Sequence, residues 1–418
     1  MVRSKIMRSG EIFWDLATQS MPAAVENYVR KNYPQSVRFS MSTIEYSFKA
    51  ASRYLGAPIG KTHDVSDKFD VLSVSLPPKF RKQLFDFIEV GSSIEVYRQL
   101  SEYGIPDADI APDDLFKEEK ALEALEHAKG VYKFCSKIIR GRVLSSKDDF
   151  MLNKIAILNG YVNNADDEIP CGTQKSPWTQ YKPQDWFDAL KKFGYECEYI
   201  SISALTDKYI AVINPFGEEY PECDLNTLPT FKKISTYIEK GGIFVCAGGI
   251  PFWYAWLTPK NAELKERVTI FDQRDAIIKG FKLVNKDRVQ IEYVVPFNSG
   301  IYGKIYFHGD VVGGDPQDST IQGVEEYKTI LSNKKFSARV FRPTTRNMFR
   351  PIIPILRTNY LGETAFPLCA TLTKIGYLLS AGFDLGTDDS RRLFDILISL
   401  LDCFIKNSIE EINAFKNI

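Results

Sequence analysis

The run Gly242-Ile243-Phe244-Val245-Cys246-Ala247-Gly248-Gly249 places a thiol at the end of a short apolar stretch that breaks into two glycines. A helix-periodic segment, Phe231 to Lys240, precedes it. In an open α/β sheet the carboxyl end of such a strand is where a reacting side chain sits, because a sharp strand-to-helix turn lifts it out of the sheet. The chemistry would be attack of a thiolate on a carbonyl. The bend itself, however, falls on Ala247. Cys246 stands one residue earlier, where alternation turns it toward a face of the sheet. A buried strand cysteine behaves as a small hydrophobe, and a reactive one needs a cation or a helix N-terminus beside it, so Cys246 is expected to be inert.

Other groups gather at the predicted strand ends. Asn214, Glu218, Glu219 and Glu222 follow one strand, and the aromatic run Phe252-Trp253-Tyr254-Ala255-Trp256 follows the two glycines. His308 and Asp310 close a later strand, and Asp384 closes another. Carboxylates and aromatics around one crevice suit a sugar-like polyol, a cation or a peptide. Asn214, Glu218, Gly248, Gly249, Trp253 and Asp384 are the expected ligand-binding set. The catalytic alternative uses Cys246, or else Asp384, His308 and Glu218 as acid and base, with a divalent metal assisting. Against both stands the ordinary polarity of loops at any strand end. His63, His127 and His308 are widely separated and no cysteine pair has CxxC spacing, so no metal ligand set is assigned and no cofactor is expected.

These groups need a scaffold to position them. Residues 1–145 read as a mainly helical domain. Ser42-Thr43-Ile44-Glu45 and Ser92-Ser93-Ile94-Glu95 have capping-box spacing and predict two helix starts. Pro112-Asp113-Asp114 predicts the start of a long helix. Gly141 to Phe150 reads as a linker. Beyond it, strands at Lys154–Leu158, Cys197–Ser203, Tyr209–Ile213 and Gly242–Ala247 alternate with helices opened by Pro183 and Pro229. That alternation predicts a parallel sheet with right-handed crossovers. Residues 251–350 read as an irregular insertion. A strand pair follows at Phe366–Leu372 and Gly376–Phe383, then a last helix after Asp388-Asp389.

On three segments, INPFGEEYPE (213–222), YIEKGGIFVCAGG (237–249) and GYLLSAGFDLGTDDSRRLF (376–394), residues 152–408 resemble the class I glutamine amidotransferase-like superfamily, including trehalose-utilisation proteins and the amidotransferase-like domains of some β-galactosidases. The resemblance implies a flavodoxin-like, doubly wound parallel sheet across residues 152–418. It implies a Cys nucleophile at the elbow, with a His and a Glu on the last strand. Here those positions read Ala247, Asp384 and Gly386. Losing base and orienter together removes the means of activating a nucleophile. The expectation is a non-catalytic pseudoenzyme module binding a small polar ligand or a protein partner, with the helical domain used for assembly or signalling.

Composition sets the outer bounds. The chain has 418 residues, 44% hydrophobic and 25% charged, with a formal net charge of zero. Nothing global favours nucleic acid. The first 62 residues carry nine Lys or Arg against four acids, a local excess of five that is expected to be a solvated face. The odd number of cysteines, seven, suits reduced thiols and a cytoplasmic setting better than a disulfide framework. No apolar run approaches a membrane span, and the N-terminus shows no signal pattern. A protein partner or homo-oligomer is expected, and no membrane.

Overall fold

The computed structural model describes residues 2–57, 66–159, 179, 181–217, 219–222, 229–249, 251, the strand residues between 254 and 348 given below, 352–360, 363–383, 385–386 and 390–416. The chain divides into two compact units: residues 1–148 with 344–351 and 411–418, and residues 149–343 with 352–410.

In the first unit, α1 (Val2–Val29) and α2 (Tyr33–Tyr54) form a hairpin turned by Lys31 at φ 60°. Small residues let the two backbones approach. Gly10 lies beneath the Tyr54 ring, where an added Cβ would stand 3.0 Å away, and Ser36 donates from Oγ to the Ala24 carbonyl at 2.9 Å. Then come α3 (Ser66–Ser75), α4 (Pro78–Phe85), α5 (Ile88–Tyr103), the short α6 (Pro112–Leu115) and the long α7 (Glu118–Ser145). Trp14 of α1 stacks on Tyr132 of α7, with ring centroids 4.4 Å apart. Phe415 is fully buried, lies 4.9 Å from Phe80 ring to ring, and sits so close to Gly141 that a Cβ there would meet it at 2.4 Å. Lys137 pairs with Glu411 at 3.1 Å beside it.

Three helix expectations need correction. Ser42 does not open a helix. Proline near the start of α2 begins it nine residues earlier, so Ser42 and Glu45 are interior and buried. Glu45 turns from a cap to ion pairing, with Lys49 at 2.6 Å and Arg98 at 2.7 Å. Ser92 likewise falls inside α5. The helix opened by Pro112 stops after one turn, because Phe116 adopts an extended backbone and is buried, and α7 restarts at Glu118. The predicted linker at Gly141 is still helix through Ser145.

The second unit is built on a mixed sheet. Its strands are β1 (Met151–Leu158), β2 (Glu196–Ile200), β3 (Tyr209–Asn214), β4 (Glu219–Glu222), β5 (Ile243–Ala247), β6 (Tyr254–Leu257), β7 (Glu266–Thr269), β8 (Lys282–Leu283), β9 (Ile291–Glu292), β10 (Ile301–Tyr306), β11 (Asp310–Val312), β12 (Lys335–Ser337), β13 (Val340–Met348), β14 (Ile352–Tyr360), β15 (Glu363–Thr373) and β16 (Gly376–Ala381). The main sheet runs β2-β1-β3-β5-β16-β15-β13-β10-β9-β8, with β14 also on β15. Its first five strands are parallel to one another, and β15 then pairs antiparallel with β16. A helical N-terminal region followed by a mixed sheet with a parallel core is an α/β arrangement. Strands β3, β5 and β16 are buried throughout, as strands covered on both faces must be.

Helices α8 (Pro183–Lys192), α9 (Pro229–Glu239) and α10 (Ser390–Asn413) accompany the sheet. Trp186 of α8 meets Phe394 of α10 edge-on at 4.9 Å, and Tyr181 stacks on the same ring at 4.0 Å. Buried Asp402 accepts from the Tyr195 hydroxyl at 3.0 Å and pairs with Lys406 at 2.8 Å. On α9, the Tyr237 hydroxyl donates to the carbonyls of Tyr209 and Ile243, at 3.1 and 3.4 Å, fixing the helix over β3 and β5 just before the turn of interest.

Candidate functional site

The turn after β5 is made by Gly248 at φ 93° and Gly249 at φ 87°, conformations that side chains other than glycine rarely adopt. The Gly248 N–H donates to the Ala381 carbonyl of β16 at 2.9 Å. A donor of that kind could otherwise serve an oxyanion; here it closes the sheet. Ala247 stands opposite Ala381 and is buried.

Register places Asn214, Cys246 and Ser380 side by side across β3, β5 and β16, and Cys369 of β15 opposite Ser380. Partners in register share a face, so these four form one polar and sulfur row within an apolar sheet. All four are buried, with Cys246 only 2% exposed. Burial pushes the Cys246 thiol far above its ordinary range, and a hydrogen bond with the Asn214 side chain opposes this only in part. Burial alone pushes Cys369 up to about 12. Asn214 also accepts at Oδ1 from the Phe216 N–H at 3.3 Å, so its amide organises the loop after β3 as well. The row was not legible from spacing in the sequence, since only strand register brings Ser380 and Cys369 beside Asn214 and Cys246.

Of the predicted site, the structure brings together Asn214, Cys246, Ala247, Gly248 and Gly249. Gly386 is described and exposed. Glu218, Trp253, His308 and Asp384 lie outside the described residues. No group of His, Cys, Asp and Glu among the described residues could hold a metal ion. No described helix is long and apolar enough to cross a membrane.

The thiols give a direct check. A thiol held protonated by burial reacts slowly because the thiolate is the nucleophile. Brief alkylation of the native protein at pH 8 is expected to leave Cys135, Cys246 and Cys369 unlabelled, all three being buried with raised pKa values. Half-buried Cys197, pushed up to about 11, should label slowly, and all four should label fully after unfolding. Peptide mass spectrometry reads the result, and rapid native labelling of Cys246 would contradict the buried geometry.

The helical segment is similar to a known domain family. Residues 11–139 match the family model of the HEPN domain. The HEPN match begins within α1 and ends within α7, and it is a family that the sequence reading did not name. No curated protein matches the chain. Solved structures similar to it include the β-galactosidase of Rahnella sp. R3, at 14% identity and a TM-score of 0.31, covering 67% of this chain and 34% of that one. The β-galactosidase of Bacillus circulans sp. alkalophilus is similar at 12% identity and a TM-score of 0.34, covering 90% of this chain and 57% of that one. The chain thus spans about a third to somewhat over half of the length of these proteins.

Proposed function

We propose that residues 152–343 and 352–410 form a flavodoxin-like, amidotransferase-like module that binds a small polar ligand or a protein partner without catalysis, and that the HEPN-matching segment supplies assembly contacts. The observation that carries this reading is the turn after β5: an alanine and two glycines where a nucleophile would stand, and the nearest thiol 2% exposed and held protonated. The strand order β2-β1-β3-β5-β16 supports the flavodoxin-like part, since its parallel strands follow the 2-1-3-4-5 order of that fold. HEPN domains take part in protein–protein interaction or in RNase activity, and the first of these suits an assembly role.

The ligand is expected at the carboxyl ends of the strands, with Asn214 and the Gly248–Gly249 turn as floor and Glu218, Trp253 and Asp384 as surrounding groups. The test is an assay for ammonia release from glutamine, hydrolysis of nitrophenyl glycosides and cleavage of RNA, run beside a thermal-shift screen of sugars and polyols. The expected result is no turnover, and a stabilising polyol whose effect is lost in Trp253→Ala. Turnover abolished by Cys246→Ala, or by Asp384→Asn and Glu218→Gln, would overturn the non-catalytic reading.

A further inference from the structure

The helical unit carries two exposed faces of opposite charge. Helix α4 buries only Phe80 and Leu84 and turns Lys79, Arg81 and Lys82 outward. Arg81 donates to the Leu76 carbonyl at 3.2 Å, and neither it nor Lys82 pairs with a carboxylate among the described residues. Beside these cations Phe85 is 59% exposed and Val74, at the end of α3, is 81% exposed. The second face runs from the end of α5 to the first turn of α7. Asp107, Asp109, Asp113, Asp114, Glu118 and Glu119 are exposed there against Lys117 and Lys120. Its apolar member is Tyr103, 66% exposed. Within this face Lys117 pairs with Asp114 at 3.9 Å, a long and solvated contact, so the acidic excess stands.

We propose that these two faces meet between copies of the chain: the basic face of α4 in one copy seats against the acidic face of residues 103–119 in another. Charge chooses the occupant. An anionic membrane would need a continuous apolar helix face to enter it, and α4 spends Phe80 and Leu84 on the unit's own core, with Phe80 against Phe134 and Phe415, leaving Phe85 alone turned outward from this helix. A second copy supplies both a carboxylate-rich surface for Arg81 and Lys82 and an exposed aromatic, Tyr103, to cover Phe85 and Val74. Apolar contacts ringed by complementary charge are the usual anatomy of a specific interface. This inference rests on the assembly role assigned above to the helical segment and names its surface.

The experiment is sedimentation of the full-length protein across a salt series with two charge-reversed variants. Lys79→Glu/Arg81→Glu/Lys82→Glu makes both faces acidic. Asp107→Lys/Asp114→Lys/Glu119→Lys makes the second face basic. The substituted positions are exposed, so the helices are retained, and circular dichroism checks this. The wild-type chain is expected to self-associate, with an association constant falling about tenfold or more between about 0.1 M and 1 M salt as the screening length drops from about 10 Å to about 3 Å. Each variant alone is expected to be monomeric, and a mixture of the two is expected to associate again. A wild-type chain monomeric at low salt, association untouched by both reversals, or a mixture that stays monomeric would overturn the proposal. A monomer that still shows no turnover leaves the non-catalytic reading of the α/β module standing, so the two failures are distinguishable.

Discussion

Gly376→Ala is expected to lower stability by at least the upper end of the roughly 1–3 kcal/mol seen when a well-packed interior is overfilled. Gly376 opens β16, the strand that joins the parallel core to the antiparallel remainder of the sheet. A Cβ there would stand 1.9 Å from the Ile238 carbonyl oxygen and 2.6 Å from that of Gly242. Both obstacles are backbone, so no rotamer change relieves them. The Gly242 carbonyl is already engaged, accepting from Tyr377 N–H at 3.0 Å in the contact that aligns β16 with β5. Retreat of either carbonyl loosens the end of α9 or the start of β5, and with them the Gly248–Gly249 turn. Gly194→Ala is the control: its φ is +89° but nothing lies within 4 Å, so only the left-handed backbone cost of about 1–2 kcal/mol applies. Urea denaturation of the three proteins measures the difference. Equal midpoints for the two variants would show that the sheet yields at Gly376 without strain.

The second large effect is expected in the helical unit. Glu45 is 1% exposed and its carboxylate holds Lys49, itself 7% exposed, at Oε1 and Arg98 at Oε2. Lys49 was taken out of water in company with that carboxylate, while Arg98, 22% exposed, keeps part of its hydration. Removing one partner of a buried ion pair costs about 3–5 kcal/mol, because the remaining charge keeps its desolvation penalty. Glu45→Ala is therefore expected to be severely destabilising. The double variant Glu45→Met/Lys49→Met, which replaces the closest pair by apolar bulk, should recover much of the loss. Glu26→Ala, which breaks an i,i+4 pair with Arg30 whose side chains are 70% and 53% exposed, should change stability by less than about 1 kcal/mol. Thermal unfolding followed by circular dichroism reads all three. A loss in Glu45→Ala no larger than in Glu26→Ala would show that the triad is solvated in solution.

The parallel core was legible because each strand announces itself twice, by an apolar run and by the proline or glycine that bounds the neighbouring helix. Pro183 and Pro229 open α8 and α9 where expected, and the glycines after Ala247 mark the turn. The helical unit was legible only as helix. Ser42-Thr43-Ile44-Glu45 has the spacing of a cap, yet a tertiary partner, Arg98, lies 53 residues away and turns the same glutamate into a core ion pair. Spacing along one helix carries no information about such a partner. The burial of Cys246 followed from its position one place before the bend, whereas its neighbours Ser380 and Cys369 depend on strand register, which no single segment encodes. His308, Asp384, Glu218 and Trp253 remain expectations from the sequence, with the roles given under the proposed function.

The helical unit is not closed by its own helices. Its grouping takes in residues 411–418, and Phe415 fills the space that Gly141 leaves open beside Phe80. During synthesis α1 to α7 emerge first, but the ring that completes their core is made some 270 residues after α7 ends. Domains that emerge early ordinarily finish folding before the rest of the chain is translated. The core of this one is completed only when Phe415 and Glu411, the partner of Lys137, have been made. A nascent chain arrested anywhere short of residue 415 should thus present a helical unit more open to proteases than that of the released protein.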